Sequence, residues 1–417
     1  PIGVFESLEL ERKIEDDRNL GNTTAVVDMT KAGSRYFAAA SRLWYRGLDD
    51  PNAEGDAASP EWVQAPAPDD NPIWYATSVV SADLGPGERV YVVYQDNEAD
   101  TSGLYAIDDP AALSADLGLT KVVTANELSE LAGDSVTIES IDRVFALNDG
   151  TDWLVLSVTV SGSPADSHTL YATSNSGGGE VTAGDFVEIT DTQAQTGVVD
   201  VATDGTNVAY LRPDALLVHA SGVNPGSAPS VQTPPEFPGE SAAGETVALT
   251  GMIHESGGGN LWLADSNGRL YSSSDFGTSW AEPSSQIQIS SSDTAPLPFT
   301  DLGTVPVGEP STGTTLLVGT NGYGYRIVST TPAEDTAADI GSLTTPDAET
   351  SNYQASDLAG AAVLFFYGDP APVTGYPVPT PQGEPEENDG YLLFAGTSNA
   401  GLWRALSYED PVQWVQE

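Results

Sequence analysis

Seven apolar-aromatic strand starts recur along the 417-residue chain, most are preceded by another β-rich run, and helical patterning is confined to two short segments. These observations predict an all-β chain folded as a single seven-bladed β-propeller over residues 23–417, preceded by an N-terminal arm at residues 1–22.

The arm mixes both charge signs. Residues 1–50 hold seven of the 14 basic residues (Arg12, Lys13, Arg18, Lys31, Arg35, Arg42, Arg46) against nine acidic ones, a balance of −2, while the remaining 367 residues carry −45. A face that escapes the acidic coat is a candidate docking surface, because burying like charges against a partner is costly. Arg12, Lys13 and Arg18 are its candidate contacts, with self-assembly into a homo-oligomer as the expected outcome. The competing reading pairs the first-repeat arginines with nearby acids.

The first repeat offers strands at Thr24 to Met29, Tyr36 to Ala39, Leu43 to Gly47 and Glu61 to Ala65. The strand start at Leu43-Trp44-Tyr45 returns at Leu104-Tyr105, Leu170-Tyr171, Leu216-Leu217, Leu270-Tyr271, Tyr323 to Tyr325 and Leu402-Trp403. Preceding runs lie at Val90 to Tyr94, Trp153 to Val160, Val208 to Leu211, Leu261 to Ala264, Leu316 to Val318 and Leu392 to Ala395. The last two repeats share Leu-Leu, then Gly-Thr, then a Gly-bearing turn and Arg. The final repeat adds Ala361 to Tyr367 and Val412 to Val415. At about 56 residues per repeat the blades exceed the roughly 40–50 of tight propeller repeats, so the surplus belongs in loops. Asp49 to Asp70, Gly222 to Thr246, Thr331 to Ala355 and Asp369 to Gly390 are acidic and rich in Pro, Gly and Ser, which argues against core strands. Ala111 to Leu119 and Ala125 to Ala132 are the two possible short helices.

Leu261 to Trp280 carries the most specific local signal. Leu261-Trp262-Leu263 begins a strand, Asn267-Gly268 is a hairpin turn signal, and Leu270-Tyr271-Ser272 starts the return strand. Ser273, Asp275, Gly277 and Trp280 follow with S-x-D-x-G-x-x-W spacing. This segment resembles the Asp box of sialidase-like (BNR-repeat) β-propellers. The resemblance implies a structural turn: Asp and Ser bond turn amides, Gly takes a left-handed backbone, and Trp packs between sheets. None of the four is implied to be catalytic.

Against 14 Lys plus Arg stand 61 Asp plus Glu, a net charge of −47. That self-repulsion is largely screened at high salt, where the Debye length is ~3 Å at 1 M, and the composition reads as a halophile's surface. Disorder is the wrong explanation, since 39% of residues are hydrophobic and eight Trp and sixteen Tyr are present. With no cysteine, disulfides and thiolate metal sites are excluded. The chain has no apolar run of about 18 residues, and its start lacks a charged-then-apolar leader, so export through a signal peptide is not expected. The negative field opposes nucleic-acid binding.

A sialidase needs three arginines converging on a carboxylate, a Tyr-Glu pair and an Asp acid. An Arg-Ile-Pro segment near the start is missing, and the arginines are few. A two-carboxylate hydrolase remains open, but with 61 acids, carboxylate count carries no information. His168, His219 and His254 are too scattered for a metal triad and read as satisfied polar residues. Asp96, Glu98, Asp100 and Ser102 alternate like a calcium loop but lack its sixth-position Gly and closing Glu, so a loosely held cation is the expectation, with no cofactor. Asn175 to Gly179 and Ser256 to Gly259 are turns, since neither leads into a Lys-bearing helix.

The expected role is non-enzymatic: a binding propeller that contacts protein partners. Halophilic composition, Asp-box repeats and the missing leader together point to a virion surface component of a haloarchaeal virus, a capsid turret, spike or tail protein assembled in the cytoplasm and attaching to a host surface glycoprotein or glycan. A cytoplasmic scaffold and a glycan-acting hydrolase are the alternatives.

Overall fold

The computed structural model describes residues 25–416 apart from connecting stretches, the longer of which are 49–61, 238–245, 287–294, 306–314, 330–342, 345–361 and 379–385. The chain forms consecutive antiparallel sheets, each built from one contiguous stretch of sequence. Blade 1 comprises Asp28–Ala32, Arg35–Ala39, Leu43–Gly47 and Val63–Gln64; blade 2 comprises Tyr75–Ala82, Arg89–Gln95, Gly103–Ile107 and Leu119–Thr124. Blade 3 holds Thr137–Asn148, Asp152–Ser161, Ser167–Thr173 and Val187–Glu188, and blade 4 holds Asp200–Thr203, Val208–Arg212, Ala215–His219 and Ser230–Gln232. Blade 5 has Leu249–His254, Leu261–Asp265 and Leu270–Ser273. Blade 6 contains Phe299–Val305, Thr315–Thr320, Tyr325–Ser329 and Leu343–Thr344, and blade 7 Val363–Val378, Glu386–Thr397, Leu402–Ser407 and Gln413–Gln416.

Six of these sheets are complete four-stranded blades, against the seven expected, and blade 5 has three strands among the described residues. Its departure has a local cause. After Ser273 the chain enters a tight turn, and Ala281 returns a backbone N–H to the Ser272 carbonyl at 2.9 Å where a fourth strand would pair.

The first strand of each sheet packs against the first strand of the next, from Asp28–Ala32 round to Val363–Val378 and back. Those strands line the axis. Apolar side chains fill the spaces between neighbouring sheets: Trp74, Tyr94 and Tyr105 between blades 1 and 2, Leu104, Val144 and Leu156 between blades 2 and 3, and Phe394, Tyr36 and Trp44 between blades 7 and 1. Interblade apolar burial is therefore the main cohesive force. The recurring strand starts are the third strands and the preceding β-rich runs are the second strands. Short fourth strands of two to four residues end most blades, which limits open edge at the rim.

Ala125–Ala132 is an α-helix, entered by a capping box in which Thr124 and Glu127 exchange bonds. In the other expected helix, Ala111 and Ala112 form a turn, residues 113–117 lie outside the described residues and Leu119 starts a strand.

Three loop expectations are corrected. Leu343–Thr344, inside the Thr331 to Ala355 segment, is the fourth strand of blade 6. Ser230–Gln232, inside the Gly222 to Thr246 segment, is the fourth strand of blade 4. The Asp369 to Gly390 segment is largely a hairpin, formed by the 16-residue strand Val363–Val378 and the 12-residue strand Glu386–Thr397. Prolines fit there because this part of the hairpin is two-stranded and its register shifts between Gly368 and Pro372 and between Val373 and Tyr376.

Candidate functional site at the propeller axis

Equivalent positions on the seven first strands are Asp28, Ser78, Arg143, Asp200, Gly251, Asp301 and Phe365. In blades 2, 3, 5, 6 and 7 the strand register shifts immediately before this position, and such a bulge re-aims the side chain. Where the residue can accept a hydrogen bond, it takes one from the next blade. Asp28 Oδ2 accepts the Val79 N–H at 2.9 Å and the Ser78 hydroxyl at 2.8 Å. Ser78 Oγ accepts the Val144 N–H at 3.3 Å, Asp200 Oδ2 the Met252 N–H at 3.1 Å, and Asp301 Oδ2 the Phe366 N–H at 2.9 Å. Arg143 reverses the polarity, donating from Nη1 to the Val199 carbonyl at 2.7 Å. Gly251 makes room instead: a Cβ there would lie 2.8 Å from the Asp301 Cα.

One guanidinium thus shares the axis with three half-buried carboxylates. Burial raises all three pKa values. Asp200 is pushed up to about 7 by burial, opposed by the Val201 and Met252 N–H groups and by Arg143, and reinforced by the Asp28 charge. Asp301 is raised by burial and then by Asp200. Asp28 is raised less freely, because Val79, Ser78 and Arg143 stabilise its anion. Folded Asp200 therefore holds a proton that the unfolded chain releases near the ordinary carboxylate pKa. Its contribution favours the fold at low pH and is lost as pH climbs from about 4 to about 7. Asp200→Asn is expected to flatten melting temperature against pH in that window at fixed high salt. Parallel curves for variant and parent would mean that Asp200 stays ionised.

Beside the axis, Asp142 is the bulged residue of blade 3. It accepts hydroxyls from Thr159 at 2.9 Å and Ser140 at 2.6 Å and lies 3.3 Å from His168 Nδ1. His219 contacts the Ser227 carbonyl at 3.0 Å, and burial holds its pKa down. His254 stacks edge-on against Phe276 at 5.3 Å. The histidines remain dispersed, and no group of three His, Asp or Glu among the described residues could hold a metal ion.

Ser273 to Ser279 form a turn held by their own side chains. Ser273 Oγ accepts the Gly277 N–H at 2.6 Å, while Asp275 accepts the Ser279 N–H at 2.7 Å and the Ser279 and Ser273 hydroxyls. The Ser279 bonds hold the Asp275 pKa below the usual carboxylate range. Gly277 has φ 91°, and a Cβ there would meet Leu216 of blade 4 at 2.9 Å. Trp280 packs on the core between blades 4 and 5 but is only half-buried.

Other site expectations fare differently. Arg12, Lys13 and Arg18, and Asp96, Glu98 and Asp100, lie outside the described residues. The first-blade arginines are not a docking face. Arg42 and Arg46 are 2% and 3% exposed; Arg42 donates to the Trp74 carbonyl at 2.6 Å and Arg46 lies over Trp62. Arg35 lies over Tyr45, so aromatic packing takes up these cations. The axial acceptors are not legible in the sequence because nothing marks one Asp among 61 acidic residues; the usable signal is a polar residue directly before an apolar one at each repeat start, as in Asp28-Met29, Ser78-Val79, Asp200-Val201 and Asp301-Leu302.

Among the described residues no helix is long and apolar enough to cross a membrane. No family model matches the chain, and no curated protein matches it. Among solved structures, the chain is similar to Sqt1 from Chaetomium thermophilum, at 12% identity and TM-score 0.51, over 94% of this chain and 84% of that one. It is also similar to YCF48 bound to D1 peptide, at 12% identity and TM-score 0.50, over 94% and 95% of the two chains. At such identity the likeness speaks for the fold alone, and with the strand topology it establishes an all-β propeller.

Proposed function

We propose that this chain is a non-enzymatic binding propeller, seven-bladed when the three-stranded sheet is counted as a blade, and a virion surface component of a haloarchaeal virus. The observation that carries the non-enzymatic part is at the axis: Asp28, Asp200 and Asp301 each accept a backbone N–H of the following blade. Carboxylates engaged in that way join blades. The net charge of −47 supports a high-salt environment. YCF48 with its D1 peptide is a precedent for a propeller of this shape meeting a polypeptide, and a host surface protein or glycan is the partner class we assign, with residues 1–22 serving assembly. Purified virions analysed by mass spectrometry are expected to contain the chain in a fixed copy number. Its absence from particles would remove the viral reading, and cleavage of a glycan panel lost in Asp301→Asn would remove the non-enzymatic one.

A further inference from the structure

Among the described residues, neither end of the chain lends a strand to the sheet of the other: blade 1 is drawn from Asp28–Gln64 and blade 7 from Val363–Gln416. The polypeptide itself crosses every other boundary of the ring. Between blades 7 and 1 only non-covalent contacts act. The axial link also fails at this boundary, because Phe365 of blade 7 offers no acceptor where Asp28, Ser78, Asp200 and Asp301 do.

A different set of contacts closes the ring. The Val26 N–H donates to the Thr397 carbonyl at 3.1 Å. Lys31 Nζ reaches both oxygens of Asp369, at 2.9 and 2.7 Å, and the Tyr36 hydroxyl donates to Asp369 Oδ2 at 2.5 Å. Asp369 is 1% exposed, so dissolved salt screens this pair poorly. The Tyr36 ring also meets Phe394 of blade 7 at 4.9 Å. One residue of blade 7 therefore takes two blade 1 donors, and removing it takes the counter-charge from the part-buried Lys31 ammonium.

We infer that the ring opens reversibly at the boundary between blades 7 and 1, ahead of global unfolding, and that Lys31, Tyr36 and Asp369 form the latch that sets how often it opens. Local opening of this kind exposes a contiguous set of amides at a free energy below that of the whole fold. This inference does not depend on the viral reading.

Native-state hydrogen exchange of the full chain in high salt tests it. The Val26 amide and those of Asp28–Ala32 are expected to exchange faster than those of Val208–Arg212 in blade 4. Asp369→Asn should speed the first group at least about tenfold, since breaking a buried pair is strongly unfavourable, and leave the blade 4 amides unchanged. Tyr36→Phe removes a single hydrogen bond and should move the same amides by a smaller factor, which keeps the test available if Asp369→Asn does not fold. Equal exchange at the two places in the parent protein, or an equal acceleration of both by either variant, would overturn the latch.

Discussion

Lowering KCl from about 3 M to about 0.1 M is expected to reduce the melting temperature by at least ~10 °C, because the Debye length lengthens from under 3 Å to about 10 Å. At low salt the folded chain must hold its −47 net charge within one compact ring with little help from counter-ions. The described cations offer limited internal relief. Lys31 is committed to Asp369, Arg89 lies near Asp108 and Glu180, and Arg42 and Arg46 are buried against aromatic rings and backbone. The interblade cores are apolar and lose little when salt is withdrawn, so the loss should reside in surface repulsion. Calorimetry across the series, with a neutral osmolyte control, measures it. A flat melting temperature would sink the high-salt reading of the composition.

Trp74→Ala is expected to cost about 3–5 kcal/mol, the usual range for truncating a buried Trp. Trp74 is 2% exposed and meets Tyr94 and Tyr105 edge-on, at ring separations of 6.2 and 5.9 Å, while those two tyrosines lie 6.0 Å apart. Deleting the indole removes one corner of this triangle between blades 1 and 2. Trp280→Ala should cost about half as much, because that ring is half-exposed. Denaturant titration at fixed high salt gives both values. Equal losses would show that Trp280 holds its two blades as firmly as a fully buried ring does.

The repeat was legible because it rests on the strongest physical signal a β-chain carries, alternating apolar residues that must face two neighbouring cores. Leu43 to Gly47 was read with its observed bounds, and the Leu-Leu, Gly-Thr pattern of the last two repeats has a common cause: Thr320 and Thr397 each donate a hydroxyl to a turn carbonyl, of Gly324 and Gly401. What stayed hidden depends on register and distance. Val363–Val378 was cut short at Tyr367 because prolines signal loop until the two-stranded pairing is seen. Asp28, Asp200 and Asp301 share a position only once bulges have aligned the first strands. Arg42 and Arg46 read as surface charge because sequence does not say that Trp74 and Trp62 lie beside them. The turn through Ser273 to Ser279 depends on the opposite, since its partners lie within seven residues of one another.

The long hairpin of blade 7 has a mechanical meaning. Val373 to Val378 pairs with Glu386 to Gly390 beyond the reach of the third strand, whose partners begin at Tyr391, so about six residues, or roughly 20 Å, stand out as a prong. A two-stranded prong has an open backbone edge on either side, the geometry by which separate chains stack into fibres. Pro377 withholds an N–H donor within one of its strands, and Pro370 and Pro372 do the same just below it, leaving gaps among the backbone donors that an incoming strand would need. At high salt, where charge repulsion between molecules is weak, those missing donors rather than the acidic coat would keep one prong from zipping onto the next.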